Sequence, residues 1–165
     1  THGIDHAGCD SMLVERSGYV AAVPADSPLA GQPSISLAEL AEQPFILPPG
    51  KYAEQSETMD LFKTVGAVPR VAQEASQTTT TLSLVGAGLG CSLVMATAAL
   101  QTIRNVCFLE VSDEIPHARW EMAMVWQPDH LTPHTRQFLD ITRAYLADNP
   151  HLLDITAYRS WLPSC

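Results

Sequence analysis

Residues 84–94 read LVGAGLGCSLV, with three glycines set between two apolar runs. The run before the glycines follows Ser76, a residue suited to capping a helix, and places Leu82 and Val85 three apart on one helical face. The run after them is short and apolar, which is typical of a buried strand. We therefore predict a helix that ends near Ala87, then a glycine turn, then a strand that completes the stretch.

The same glycines also mimic a dinucleotide-binding fingerprint. Gly86, Gly88 and Gly90 approximate the spacing of a phosphate-binding turn, and Glu110 lies ~20 residues on, where an acidic side chain would bond a ribose hydroxyl. Such a turn must lead from a strand into a helix, because the helix N-terminus holds the phosphate. Here the predicted order is the reverse, and Cys91 stands where a third small residue is needed. A dinucleotide-binding oxidoreductase domain is therefore kept only as the alternative hypothesis.

Strands and short helices alternate along the rest of the chain. A capping box of Ser36 and Glu39 opens one helix that Pro44 is expected to end, and Thr132 with Pro133 opens the last helix. Alternation of this kind indicates an α/β fold with a largely parallel sheet. We predict strands over residues 12–23, 45–47, 68–72, 106–111 and 120–126, and further helices over residues 53–65, 97–103 and 133–147.

The last helix has a broad set of apolar side chains. Residues spaced three or four apart share a helical face, so we expect one side of this helix to pack inward. The residues placed on that inner side are Phe138, Leu139, Ile141, Thr142, Tyr145 and Leu146.

Composition narrows the classes of protein and of partner. Of the 165 residues, 46% are hydrophobic and 16% are charged, which excludes a disordered chain. The formal net charge of −9 repels phosphate groups, so tight binding of DNA, RNA or anionic membranes by this chain is not expected. No apolar run approaches the ~20 residues of a membrane-spanning helix. Contact with nucleic acid would have to come from a part of the protein outside this sequence.

The sequence offers little support for catalysis or metal binding. Four cysteines lack a C-x-x-C spacing, which suits reduced thiols in a cytoplasmic protein. His2, His6, Cys9 and Asp10 form a terminal cluster of possible ligands, but a frayed chain end is the simpler interpretation. No nucleophile elbow is present. We therefore expect no catalytic residue, no metal and no cofactor, and a protein that is not an enzyme.

An anion site is the one functional hypothesis that the residues themselves favour. Two helices are predicted to follow strands, one after Gly50 and Lys51 and one beginning near Thr78. In a parallel sheet both helix N-termini face the carboxyl edge, where free N–H groups and the helix dipole attract a carboxylate. The alternatives are a plain turn at residues 48–50 and simple helix capping by Ser76.

The order of these motifs resembles the effector-binding domain of LysR-type transcriptional regulators. The matching stretches are residues 19–30, 35–40, 43–46 and 84–94, with Phe62, Gly66 and Pro69 between them. The resemblance implies a type 2 periplasmic-binding-protein-like α/β fold, with one complete lobe and part of a second lobe around a cleft. It also implies a cytoplasmic bacterial sensor, a homodimer or homotetramer, that binds a small anionic molecule between the lobes. Binding would control a winged helix-turn-helix that lies outside this chain.

The resemblance further implies a division of the chain and a set of effector contacts. Residues 1–20 would be a remnant of the first lobe and the crossover, 21–115 the second lobe, 116–150 the return to the first lobe and 151–165 a tail. The incomplete first lobe would expose apolar surface around its last strand. An exported solute-binding protein with the same fold stays open as an alternative. The family's effector contacts map to Pro48, Pro49, Gly50, Lys51, Ser76, Gln77 and Thr78.

Overall fold

The computed structural model describes residues 8–47, 57–101, 103–114, 120–153 and 162. The chain forms two compact units: unit 1 contains residues 1–17 and 119–157, and unit 2 contains residues 18–118 and 158–165. The strands are β1 (Asp10–Ser17), β2 (Tyr19–Pro24), β3 (Ser34–Ile35), β4 (Pro44–Leu47), β5 (Arg70–Glu74), β6 (Ser92–Met95), β7 (Val106–Val111) and β8 (Trp120–Trp126). The α-helices are α1 (Leu37–Ala41), α2 (Glu57–Thr64), α3 (Thr78–Gly86) and α4 (Pro133–Asp148).

Unit 2 is built on a mixed sheet and not on a largely parallel one. Its four-stranded sheet has the order β3-β7-β2-β6, in which β2 runs antiparallel to both β6 and β7, while β3 is parallel to β7. The predicted strand over residues 12–23 is in fact β1 and β2, which belong to different units. Because β2 enters from unit 1 at Gly18, no strand–helix–strand crossover sets its direction. The prediction of a largely parallel sheet is therefore wrong for β2.

Strand β2 is buried on both faces and divides the core of unit 2. Ala21 and Val23 point to one side, where they join the buried side chains of α1 and α2. Val20 and Ala22 point to the other side and join those of α3. On the first side, Phe45 and Phe62 form an edge-to-face pair with ring centroids 5.1 Å apart.

The predicted capping box of α1 is confirmed. The Ser36 hydroxyl oxygen accepts a hydrogen bond from the Glu39 N–H (3.2 Å), and the Glu39 carboxylate accepts from both the N–H (3.0 Å) and the hydroxyl (2.7 Å) of Ser36. These bonds, the one from the Ser36 side chain first, lower the pKa of Glu39 below its ordinary value of 4.5. The folded state is therefore more stable with the Glu39 carboxylate ionised than with it protonated.

Glu39→Gln is expected to destabilise the protein at pH 7 and to have little effect in acid. The pKa of Glu39 is lowered in the folded chain, so its contribution is complete above pH 4.5 and is lost as the pH falls through the folded value. Urea unfolding at pH 7 and pH 3 measures the difference. Glu42→Gln, at the exposed end of the same helix, is the matched control. An equal loss of stability for Glu39→Gln at both pH values would contradict the capping role.

Unit 1 is smaller and pairs only two described strands. β1 runs antiparallel to β8, from Asp10 opposite Trp126 to Ser17 opposite Trp120. Helix α4 starts as predicted, with Thr132 as its N-cap and Pro133 in its first turn. The side of α4 that is buried is narrower than predicted. Leu139 and Leu146 are buried as expected. Phe138, Ile141 and Tyr145, which were also predicted to face inward, are exposed.

The cysteines differ from one another in chemistry. Cys9 and Cys91 are free, and burial raises the pKa of the Cys91 thiol to about 11, so this thiol behaves as a small apolar side chain. Cys107 is disulfide-bonded, and the expectation of reduced thiols is wrong for this residue. Spacing along the chain could not show this, because a disulfide depends on proximity in the fold. Among the described residues, no helix has the length and apolar character needed to cross a membrane.

Candidate functional site

The carboxyl ends of two parallel strands meet at one edge of unit 2. Strands β4 and β5 are parallel, and their last residues, Leu47 and Glu74, lie opposite each other. The N–H of Ala75 then donates to the carbonyl oxygen of Leu47 at 2.8 Å, which ties the two exits together. The chain therefore leaves both strands from the same place, and after β5 it needs only a short turn to reach α3.

Helix α3 begins immediately beyond this edge with an open first turn. Its N-cap is Gln77, in an extended conformation (φ −120°, ψ 136°), and the Gln77 side chain forms no capping hydrogen bond. The first helical bond runs from the Thr81 N–H to the Gln77 carbonyl oxygen at 2.9 Å. The N–H groups of residues 78–80, at the start of α3, are thus not used by the helix.

The structure corrects the role predicted for Ser76. This residue lies one position before the N-cap and is exposed, so it does not cap α3. The helix starts later than predicted because Gln77 is still extended, which places the Ser76 hydroxyl outside the position from which a cap reaches the first turn. Among the predicted site residues, Ser76, Gln77 and Thr78 form one turn, in which Thr78 is half-buried. Pro48, Pro49, Gly50 and Lys51 lie outside the described residues.

A contact that sequence reasoning missed joins β2 to α2 in the same unit. The Tyr19 hydroxyl donates to the Glu57 carboxylate at 2.6 Å. Burial, then the hydrogen bond and the negative charge of Glu57, raise the pKa of Tyr19, which keeps the phenol as a neutral donor. The two residues are 38 positions apart, so no local pattern indicates the pair. The contact holds the first turn of α2, the helix that follows residues 48–51.

Comparison with known proteins assigns the chain to a family. The sequence pattern of the LysR substrate-binding domain matches residues 2–147. This chain belongs to the LysR substrate-binding domain family. The uncharacterised HTH-type transcriptional regulator YnfL of Escherichia coli (strain K12) is 31% identical to this chain over 132 residues, and the match covers 78% of this chain and 44% of YnfL. The chain spans less than half the length of the curated relatives it matches.

Solved structures agree on the fold. The C-terminal domain of a probable LysR family regulator from Rhodococcus sp. RHA1 has a TM-score of 0.68 and 25% identity, and the match covers 86% of this chain and 71% of that one. The BenM effector-binding domain with its effector benzoate has a TM-score of 0.70 and 21% identity, covering 89% of this chain and 67% of that one. These matches confirm that this chain has the predicted type 2 periplasmic-binding-protein-like α/β fold.

The dinucleotide-binding alternative is not supported. The glycine stretch of the LysR-family chain runs from α3 into β6, with Gly88 (φ +77°) and Gly90 (φ +156°) forming the turn between them. A Cβ on Gly86 would lie 2.7 Å from the Arg104 carbonyl oxygen, so this glycine allows close packing of two backbones. Glu110 lies within β7, paired with Val20 of β2, and not at the end of a strand next to a phosphate turn.

The structure gives no support to a metal site at the N-terminal cluster of His2, His6, Cys9 and Asp10. His2 and His6 lie outside the described residues. Within the ranges that the structure describes, no three His, Cys, Asp or Glu side chains come together in a way that could hold a metal ion.

Proposed function

We propose that this chain is the effector-binding part of a LysR-type transcription regulator and holds a small anion at the carboxyl edge of β4 and β5. The observation that carries the proposal is the open first turn of α3, directly beyond the point where the two strands end. Backbone N–H groups at a helix N-terminus, aided by the helix dipole, bind carboxylates and phosphates. The benzoate named with the BenM effector-binding domain is a carboxylate, which favours that class of anion here.

The proposed contacts come from two segments. From the first segment, Lys51 would supply positive charge and the Gly50 backbone a further donor, beside Pro48 and Pro49. From the second, Thr78 would supply its hydroxyl and its N–H, next to Ser76 and Gln77. The Tyr19–Glu57 hydrogen bond would act indirectly, by fixing the helix that the first segment enters.

The wider setting follows from the relatives and from the charge. The relatives are named as HTH-type regulators, so we propose that DNA is bound by a winged helix-turn-helix outside this sequence and not by this acidic chain. We further propose a cytoplasmic homodimer or homotetramer that is not an enzyme and does not act at a membrane.

The disulfide of Cys107 is unusual for a reducing compartment. Counting free thiols in protein prepared from cells under rapid alkylation would test the cytoplasmic placement.

Calorimetric titration with benzoate and a series of small aliphatic carboxylates tests the site. Thr78→Ala removes the hydroxyl, and Thr78→Pro also removes the N–H at the first helical position, where proline is tolerated. Each lost hydrogen bond to a charged ligand is worth ~1.5 kcal/mol or more, so we expect affinity about tenfold weaker for Thr78→Ala and weaker again for Thr78→Pro. Lys51→Ala combined with Thr78→Ala is expected to weaken binding further.

Ser83→Ala is the matched control on the same helix. Its exposed hydroxyl donates to the Thr79 carbonyl oxygen at 2.8 Å, and this carbonyl points away from the free N–H groups of the first turn, so binding should be unchanged. Unchanged affinity in Thr78→Pro and in the Lys51→Ala, Thr78→Ala double variant would remove these residues from the site.

A further inference from the structure

The disulfide of Cys107 has one available partner in the sequence. The four cysteines stand at positions 9, 91, 107 and 165. Cys9 and Cys91 are free, whereas Cys107 is disulfide-bonded. A bond within one chain therefore leaves Cys165 as the partner, and it closes a long loop from β7 to position 165.

The packing of Leu162 agrees with this pairing. Leu162 is partly buried and packs against the core cluster on the α3 side of β2, as does Val106, the neighbour of Cys107 in β7. We call this group of side chains the α3-side cluster. Because three residues of extended chain span about 10 Å at most, Cys165 stays close to the place where Leu162 is anchored. The α3-side cluster includes Val20, Ala22, Leu82, Val85 and Phe108.

The free cysteine of the same unit does not compete for the bond. Cys91 is buried, and burial raises the pKa of its thiol to about 11. Only a thiolate attacks a disulfide, so Cys91 is a poor nucleophile at neutral pH. The Cys107 disulfide is therefore not readily reshuffled within unit 2, and its opening depends on a thiol from outside the chain.

The bond involves a part of the chain that the family match does not include. The LysR substrate-binding domain matches residues 2–147, and both Leu162 and Cys165 follow this range. The cluster that Leu162 covers also contains Leu82 and Val85, the buried side chains that seat α3 on the sheet. A bond that holds Leu162 in place thus acts on the packing of α3.

We propose that Cys107 and Cys165 form a reversible redox clamp, which holds Leu162 on the α3-side cluster when the disulfide is formed. A dithiol reductant opens it: one thiolate attacks a sulfur to give a mixed disulfide, and the second thiol of the reductant then displaces that sulfur. The chain gains two electrons and two protons as two thiols, and the reductant becomes a disulfide. A disulfide oxidant of low molecular weight reverses the exchange. The clamp does not depend on which effector binds unit 2.

Peptide mapping by mass spectrometry tests the pairing. In unfolded, unreduced protein, alkylation should modify Cys9 and Cys91 only, and one cross-linked pair of peptides should contain Cys107 and Cys165. After dithiothreitol treatment all four cysteines should be alkylated. A link from Cys107 to Cys9 or Cys91, or a bond between two chains, would overturn the proposal.

Hydrogen exchange tests the effect of the clamp on α3 and β7. We expect exchange in these elements to become about tenfold faster or more after reduction, because the cross-link no longer restricts the unfolded chain. Reoxidation with glutathione disulfide should restore the slow rates. Cys165→Ser should exchange fast with or without dithiothreitol. Cys9→Ser is the matched control, since it removes a free cysteine and should keep the full response.

Two exchange results would contradict the clamp. Equal rates in oxidised and reduced protein would mean that the disulfide does not control the packing of α3. A Cys165→Ser variant that still responds to dithiothreitol would mean that another group carries the response. If Cys165→Ser does not fold, the unmodified protein with and without dithiothreitol decides.

Discussion

Phe45→Ala is expected to lower the free energy of unfolding by about 4 kcal/mol. Phe45 lies in β4 with no exposed surface, and its ring packs edge to face with that of Phe62, with the centroids 5.1 Å apart and the ring planes at 88°. Truncation removes the buried apolar area and leaves a cavity between β4 and α2 that the surrounding sheet cannot close. The pair contributes roughly a further 1 kcal/mol through its edge-to-face geometry. Urea unfolding followed by circular dichroism measures the loss.

Phe138→Ala provides the matched comparison, since it deletes the same side chain from the exposed side of α4. At 55% exposure, little apolar area is lost and the change should stay within about 0.5 kcal/mol. A large loss for Phe138→Ala would contradict the exposed position of this side chain.

Features set by neighbouring residues were predictable from the sequence. The Ser36–Glu39 box and the Thr132–Pro133 start form through contacts within one turn, so their residue types are sufficient evidence. The strand at residues 120–126 was predicted with the bounds that the structure gives, because its alternation is a property of the backbone itself.

Features set by distant residues were not predictable in the same way. The direction of β2 depends on where the chain crosses between units, and the Tyr19–Glu57 bond joins residues 38 positions apart. The exposed apolar side chains of α4 (Phe138, Ile141 and Tyr145) show the limit most clearly. Periodicity shows that a face is apolar, but whether that face is covered depends on which other chain segments are present.

The candidate site was predictable in part. The helix after β5 could be expected, and with it a first turn near Thr78, but the one-residue difference between Ser76 and Gln77 as N-cap depends on a single pair of backbone angles. That difference matters chemically, because a capped turn uses an N–H group that an open turn leaves for a ligand.

Gly90→Ala is expected to destabilise unit 2 by about 3 kcal/mol or more. Gly90 has φ +156°, a conformation that side chains rarely adopt, and a Cβ there would lie 2.5 Å from the Pro44 carbonyl oxygen. That oxygen accepts a hydrogen bond from the Cys91 N–H at 2.7 Å, so the two backbones cannot separate without losing it. Strain and overpacking each cost roughly 1–3 kcal/mol. Urea unfolding measures the sum.

Gly88→Ala separates the two causes. Gly88 also has positive φ (+77°), but nothing lies within 4 Å of its Cβ position, so only the backbone strain of about 1 kcal/mol should appear. The difference between the two variants then measures the close approach of Gly90 to β4. Because β4 ends at the proposed anion site, a shift of Pro44 should also weaken carboxylate binding in Gly90→Ala, while Gly88→Ala should bind normally. Equal stability losses in the two variants would show that the contact with Pro44 is not what requires glycine at position 90.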